Sequence, residues 1–354
     1  MKALVLSGGL GSRLRPFSHS MPKQLIPVAG RPVLAHVVTS LKDMGVVDIG
    51  VVVGDRGDEI ASALGDGSSL GVRITYVRQD EPRGLAHCIL VAREFLGDDD
   101  FVMYLGDNML ADGVQDIADA FRTRRPSAQI VVHKVPDPRE FGVAEVDEDG
   151  RVLVLTEKPA RPRTDLAVIG VYFFTAAVHE AVAAITPSAR GELEITDALQ
   201  WMVDRGADVR ARVYSGFWKD TGRIEDVLEC NRELLDRLAP SLRGEVDGAS
   251  ELEGPVVIEE GARVIRSRLT GPVIIGAGAV VRDSVVGPHT AVGGGCVLDT
   301  ADVRNSILLD GATLRRVGGV RASVIGRDAT VSSTGFARCG RLVVGDHSSV
   351  EVAA

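Results

Sequence analysis

Aromatic residues make up only 4% of this 354-residue chain, with two tryptophans in all. Cysteine is also scarce: Cys88, Cys230, Cys296 and Cys339 lie far apart, with no C-x-x-C spacing. Neither a disulfide framework nor a zinc site is expected, and reduced thiols point to a cytoplasmic protein. Long apolar runs are missing, and none approaches the roughly 18 residues needed to cross a bilayer. The opening "MKALVLSGG" reaches glycine too early for the apolar region of a signal peptide. Positive charge is not in excess: 40 Lys and Arg against 49 Asp and Glu leave a net charge of −9. That balance argues against non-specific binding of nucleic acid or an anionic membrane, while leaving room for a local cationic cluster and a small anionic substrate. What is present is a 45% hydrophobic, 25% charged composition, ordinary for a globular protein and long enough for two cores.

The two halves are written differently. Residues 1–240 alternate strand and helix patterns: "ALVLSG", then the helical "RPVLAHVVTSLKDMG" ending at Gly45, then "IGVVVG", the helical "GLAHCILVAREFLG" and the strand "FVMYLGDN". Such alternation predicts a Rossmann-like, mainly parallel α/β sheet, with ligands beyond the carboxyl ends of its strands. "FGVAEVDEDGRVLVLTEKP" reads as two strands around Asp149-Gly150, followed by the strand "DLAVIGVYFF" and the helices "EITDALQWMVDRG" and "RIEDVLECNRELLDRL". Pro240 and the polar "RGEVDGASELEG" suggest a boundary. Over 250–354 aliphatic residues recur every six positions, as in Val286, Val292 and Leu298, Ile275 and Val281, Leu308, Leu314 and Val320, Ile325 and Val331, and Val344 and Val350. This period predicts a parallel β-helix of about three hexapeptides per coil, interrupted near 267–273 and 332–341.

The stretch "SGGLGSRLRPFSHSMPKQLIPVAGRP", residues 7–32, holds the first chemical signal. A P-loop would need G-x-x-x-x-G-K-[ST], which is absent. The dinucleotide fingerprint fails at Leu14, where its third glycine should stand. Gly8, Gly9, Gly11, Ser12, Arg13, Leu14 and Pro16, with Pro22, Lys23, Leu25 and Pro27, fit a nucleotidyltransferase signature instead. A glycine-dense loop lets backbone N–H groups approach phosphate oxygens, and Arg13 and Lys23 add a fork and a compact charge. A tight turn with two solvated cations is the plainer reading, but a turn does not require that spacing.

These residues resemble the sugar-1-phosphate nucleotidyltransferases, and "PKQLIPVAGRP" resembles the glucose-1-phosphate thymidylyltransferases among them. The resemblance runs on through "GLAH", "LGDN", "FGVAEVDEDG", "EKP", "GELEITDAL" and "WKDTG", and with the hexapeptide tail it is similar to the long form of that family. It implies a catalytic domain over 1–240, a left-handed β-helix over 250–354, and dTTP and glucose 1-phosphate as substrates. It also implies Mg²⁺ held by Asp107 and Asp220, although either aspartate alone would pass as a helix cap or turn residue. By the same resemblance Arg13, Lys23 and Lys158 are catalytic, and Leu6, Gly8, Gly9, Gly11, Ser12, Arg13, Gln79, Gly84 and Asp107 bind the nucleotide. Leu105, Gly142, Glu157, Lys158, Val168, Arg190 and Trp218 bind the sugar phosphate. Phe141 stands where many relatives have tyrosine, which removes any hydroxyl contact from that position. His87 stands where short-form relatives often have glutamine, and reads as a helix residue packed near the base loop.

Two further classes compete. His289 in "VGPHTAVGGG" would serve an acyltransferase built on the hexapeptide tail, against the plainer reading of a solvent-facing turn. A nucleotide-sugar sensor would not need both Asp107 and Asp220. A homo-oligomer is expected, with the tail supplying packing contacts.

Overall fold

The structure is a computed structural model that describes residues 1–9 and 11–354. Its chain folds into two compact units that are not contiguous in sequence: Met1–Gly9 with Val33–Lys219, and Leu10–Pro32 with Asp220–Ala354.

In the first unit, Lys2–Leu6 is apolar after its first residue and becomes the central strand β1. It pairs in parallel with β2 (Asp48–Val53) and β4 (Phe101–Leu105), and β2 pairs in parallel with β3 (Arg73–Arg78). Five of the six residues of β2 are buried, as in a strand covered on both faces. The sheet then turns antiparallel through β8 (Leu166–Phe174), which pairs with β4 and with β5 (Ala128–Lys134). Strands β6 (Gly142–Val146) and β7 (Val152–Glu157) form the expected hairpin, with Gly150 at φ 75° in its turn. Strand β9 (Val209–Val213) completes the nine.

Helix Val33–Asp43 buries Leu34, Val37, Val38 and Leu41 along one stripe, and Gly45 follows it at φ 78°. The expected long helix from Leu85 is instead two pieces, Leu85–Val91 and Arg93–Leu96. Ala92 between them has left the helical region, at φ −89° and ψ 6°, and its fully buried methyl leaves no side chain visible as a breaker in the sequence.

In the second unit, the coils begin at Ser241–Leu242, which pairs in parallel with Val256–Ile258. They therefore start ahead of residue 250, and the polar stretch expected as a boundary is itself a coil, with Glu245–Val246 and Glu251–Glu253 on its other two faces. All strand pairs from there on are parallel, as a β-helix requires. The six-residue rows point inward: Ile275, Val281, Val286, Leu298, Leu314, Val320 and Val331 are fully buried.

Most coils repeat after 17 residues, one fewer than three hexapeptides, and a serine marks the corner. The Ser267 N–H donates to Ser250 Oγ at 3.1 Å, and the Ser284 N–H to Ser267 Oγ at 3.1 Å. The Ala301 N–H donates to Ser284 Oγ at 3.0 Å, and the Ser323 N–H to Ser306 Oγ at 3.1 Å. Each of these spans 17 residues. Hydroxyls of Ser267, Ser284, Ser306 and Ser323 donate in turn to carbonyls two residues back, so buried corners stay satisfied.

Candidate active site

The carboxyl ends of the parallel strands in the first unit carry the expected loops. Leu6 ends β1 and leads to Gly8 and Gly9; Gln79 follows β3; Asp107 follows β4, which ends at Leu105. This is where an open α/β sheet places ligands.

Gln79 is 8% exposed, with Gly8 lying against its side-chain oxygen. Its amide nitrogen donates to the Gly84 carbonyl at 3.4 Å and lies 3.0 Å from His87 Nδ1. Burial, then the nearby Arg83, hold the His87 pKa below its ordinary value, with Glu81 opposing. The neutral ring accepts at Nδ1, so the Gln79 amide is held with its donors on protein and its oxygen turned toward Gly8. Gly84 sits at φ 101°, and a β-carbon there would fall 2.5 Å from the Leu193 carbonyl oxygen. The Ala86 N–H donates to that same carbonyl at 3.1 Å, which fixes the Gln79–Gly84 loop to the segment that follows Arg190.

Glu157 gathers the second group. Its Oε1 lies 3.3 Å from Arg190 Nη1 and 3.7 Å from Lys158 Nζ, while its Oε2 accepts from the Thr196 hydroxyl at 3.2 Å. Neighbours on a strand ordinarily face opposite ways, but Lys158 leaves the strand at φ 42°, and its ammonium stays beside Glu157. Gly142 faces the same carboxylate: a β-carbon there would meet Glu157 Oε2 at 3.3 Å and Val168 Cγ2 at 3.7 Å. Gly142, Glu157, Lys158, Val168 and Arg190 are thus brought together. Arg190 also meets Glu192 at 3.1 Å and the buried Glu194 at 3.7 Å, and burial raises the Glu194 pKa against the Ser188 hydrogen bond.

Leu105 packs on Gly170 at a shift in the β8 register. Trp218 donates from Nε1 to Asn108 Oδ1 at 2.7 Å and sets its ring edge-on to Phe141 at 5.4 Å. Asp107 is 8% exposed, and its Oδ1 accepts from Asn108 Nδ2 at 3.3 Å. Asn108 therefore ties Trp218 to Asp107 through one side chain.

The second unit holds Gly11, Ser12, Arg13, Lys23 and Asp220. Gly11 is left-handed at φ 65°, and a β-carbon there would fall 2.8 Å from Lys23 Cβ. Only glycine lets the loop close over the Lys23 stem. Arg13 follows on a short 3-10 turn, with Nη2 at 3.7 Å from Asp220 Oδ2. A β-carbon at Gly222 would lie 3.3 Å from both Asp220 oxygens and 3.2 Å from Arg13 Nη2, so glycine keeps the approach to that carboxylate open.

No cluster of three or more His, Cys, Asp or Glu side chains able to hold a metal occurs among the described residues. A cation bound by one or two carboxylates, with phosphate oxygens and water completing its shell, is the Mg²⁺ pattern; Asp107 in the first unit and Asp220 in the second are each carboxylates of the kind that pattern uses.

His87 packs beside the Gln79 loop from its helix, as its sequence position suggests, whereas nothing in the sequence marks Thr196 and Asn108 as partners of these side chains. Thr196 lies in "GELEITDAL", where its spacing from Glu157 gives no signal. His289 is placed too: its Nε2 lies 2.7 Å from Asp236 Oδ1, and its carbonyl accepts from Asn231 Nδ2 at 3.1 Å.

The nucleotidyl transferase family profile matches residues 2–237, and the chain belongs to that family. The glucose-1-phosphate thymidylyltransferase of Streptomyces griseus is 56% identical over 268 residues, 76% of each chain. That of Streptomyces antibioticus is 54% identical over 269 residues, again 76% of each. A solved structure from Bacillus anthracis, provisionally named a glucose-1-phosphate thymidylyltransferase, superposes with a TM-score of 0.61 at 36% identity. It covers 65% of this chain and 94% of its own. Among the described residues no helix is long and apolar enough to cross a membrane.

Proposed function

We propose that the chain is a glucose-1-phosphate thymidylyltransferase, converting dTTP and α-D-glucose 1-phosphate to dTDP-glucose and pyrophosphate. The observation that carries this reading is the Glu157 group: a carboxylate for sugar hydroxyls with Lys158 and Arg190 beside it for the phosphate. The kinship to the two Streptomyces enzymes supports the substrate pair.

A phosphate oxygen of the sugar phosphate attacks the α-phosphorus in line. The new P–O bond forms as the bond to the β-phosphate oxygen breaks, and pyrophosphate leaves with that electron pair. The attacking oxygen is already anionic, so neither an enzyme nucleophile nor a general base is required. Lys158 and Arg190 bring the sugar phosphate to the α-phosphorus, while Arg13 and Lys23 take the triphosphate and stabilise its developing charge. Gln79 reads the base: its oxygen accepts the thymine N3–H. Asp107 and Asp220 would hold Mg²⁺, which when bound neutralises charge on the triphosphate.

The test is pyrophosphate release with Mg²⁺, crossing five nucleoside triphosphates with several sugar 1-phosphates. Turnover with dTTP and glucose 1-phosphate is expected. One methyl group is worth only ~1–3 kcal/mol, so UTP is expected to follow dTTP, and activity with ATP or GTP alone would overturn the thymidylyl assignment. Asp107→Asn and Lys158→Ala should each cost roughly 10²–10³-fold in kcat with little change in Tm. Near-normal turnover in both would overturn the site.

Among the described residues no disulfide joins the cysteines, and burial pushes the Cys88 and Cys296 pKa values up to about 12, which supports a reducing cytoplasm. Self-association through the coils belongs to the same reading, and light scattering of the purified chain would measure it.

A further inference from the structure

The loop carrying Arg13 and Lys23 belongs to the same compact unit as the β-helix, and a specific set of contacts explains why. Asp346, in a turn of the last coil, has a carboxylate only 1% exposed. Its Oδ2 accepts from the Ser20 hydroxyl and from Arg327 Nε, both at 2.8 Å, and its Oδ1 accepts from the Arg327 N–H at 2.8 Å. Arg327 Nη2 then donates to the Ser20 carbonyl at 3.0 Å. Ser20 is thus gripped by both its side chain and its backbone. At the other end of the same turn Pro16 rests on Gly345, where a β-carbon would come 3.1 Å from Pro16 Cβ. Pro16 and Ser20 thus fix the segment between Arg13 and Lys23 at two points inside it. Farther along the loop, the Ala29 N–H donates at 2.9 Å to Asn231 Oδ1, and Asn231 reaches the coil corner at His289.

A buried carboxylate is costly unless every oxygen is satisfied. Asp346 meets that condition only because Ser20 and Arg327 converge on it. We propose that Asp346 and Arg327 are positioning residues for the Arg13–Lys23 loop, so that the last β-helix coils set the geometry of triphosphate binding. This rests on the proposed function for its kinetic readout, and not for its structural one.

The experiment compares the full-length chain with Asp346→Asn, Ser20→Ala and, as a control, Asp283→Asn. The last breaks another ion pair on the coils, Arg266–Asp283. Expected for Asp346→Asn and Ser20→Ala is a loss of roughly ten- to a hundredfold in kcat/KM for dTTP, with the KM for glucose 1-phosphate unchanged. Amide hydrogen exchange over residues 11–25 should quicken in both variants and not in the control. Unchanged kinetics and exchange in Asp346→Asn would overturn the proposal, as would equal changes in Asp283→Asn. If Asp346→Asn fails to fold, Ser20→Ala alone decides, because it removes only one hydroxyl. A wild-type chain inactive with dTTP would sink the functional reading, and the exchange comparison would still decide the positioning.

Discussion

Glu157 has two oxygens and two duties. Thr196 and Arg190 hold it from the protein side, and in the proposed function its remaining lone pairs are the ones that would take sugar hydroxyls. Thr196→Val removes one donor without changing shape, and is expected to raise the KM for glucose 1-phosphate several-fold while leaving that for dTTP unaltered. Equal changes in both constants would show a general loss of structure instead. His87 makes a second case at this scale, through a proton. In the unfolded chain it takes up its proton near the ordinary value of 6.5, and in the folded chain only at lower pH. Stability from this group is therefore complete above 6.5 and is lost as pH falls through the lower folded value. Protonation also ends acceptance at Nδ1, releasing the Gln79 amide. The KM for dTTP should rise as pH falls through that lower folded value. His87→Gln, which keeps an acceptor but does not titrate, should flatten that rise.

Elements differ in how openly the sequence declares them. Strand β1, helix Val33–Asp43 and the Asp149-Gly150 hairpin were legible because period and turn chemistry agree over short distances. The inward rows of the coils were legible for the same reason. The break at Ala92 was not, since nothing local forces it. The coil formed by 241–254 was hidden because its residues are polar and only pairing with the next coil makes them strands. Among the proposed substrate-binding residues, Arg13, Lys23, Asp107 and Glu157 stood out by motif. Thr196 and Asn108 did not, because their contacts depend on folding and not on spacing. The serine corners were equally invisible beside the aliphatic period, yet they carry a measurable load. Ser284→Ala strips the acceptor from the Ala301 N–H at a buried corner, and should cost about 1–3 kcal/mol. The midpoint of the β-helix unfolding transition in denaturant would report it, and an unmoved midpoint would show that water replaces the hydroxyl.

At the scale of the molecule, the chain enters the second unit early, returns to the first, and re-enters at Asp220. Most of its α-helix lies in the first unit, whereas the second contains Ile224–Leu235 and is otherwise largely parallel strands. The two units can therefore be followed separately, the first by its helical circular dichroism and the whole by calorimetry, without assuming one two-state transition. Because Arg13, Lys23 and Asp220 fold with the coils, catalysis should end when the coils melt, even while the helical signal persists. Ser284→Ala offers a lever on this, as it weakens a coil corner remote in sequence from any proposed substrate contact. Its effect should be to lower the temperature of inactivation together with the β-helix transition, leaving the helical transition in place. Inactivation that stays with the helical transition in the variant would mean that the triphosphate loop keeps its working geometry without the coils. The Asp346–Arg327–Ser20 contact would then be packing alone.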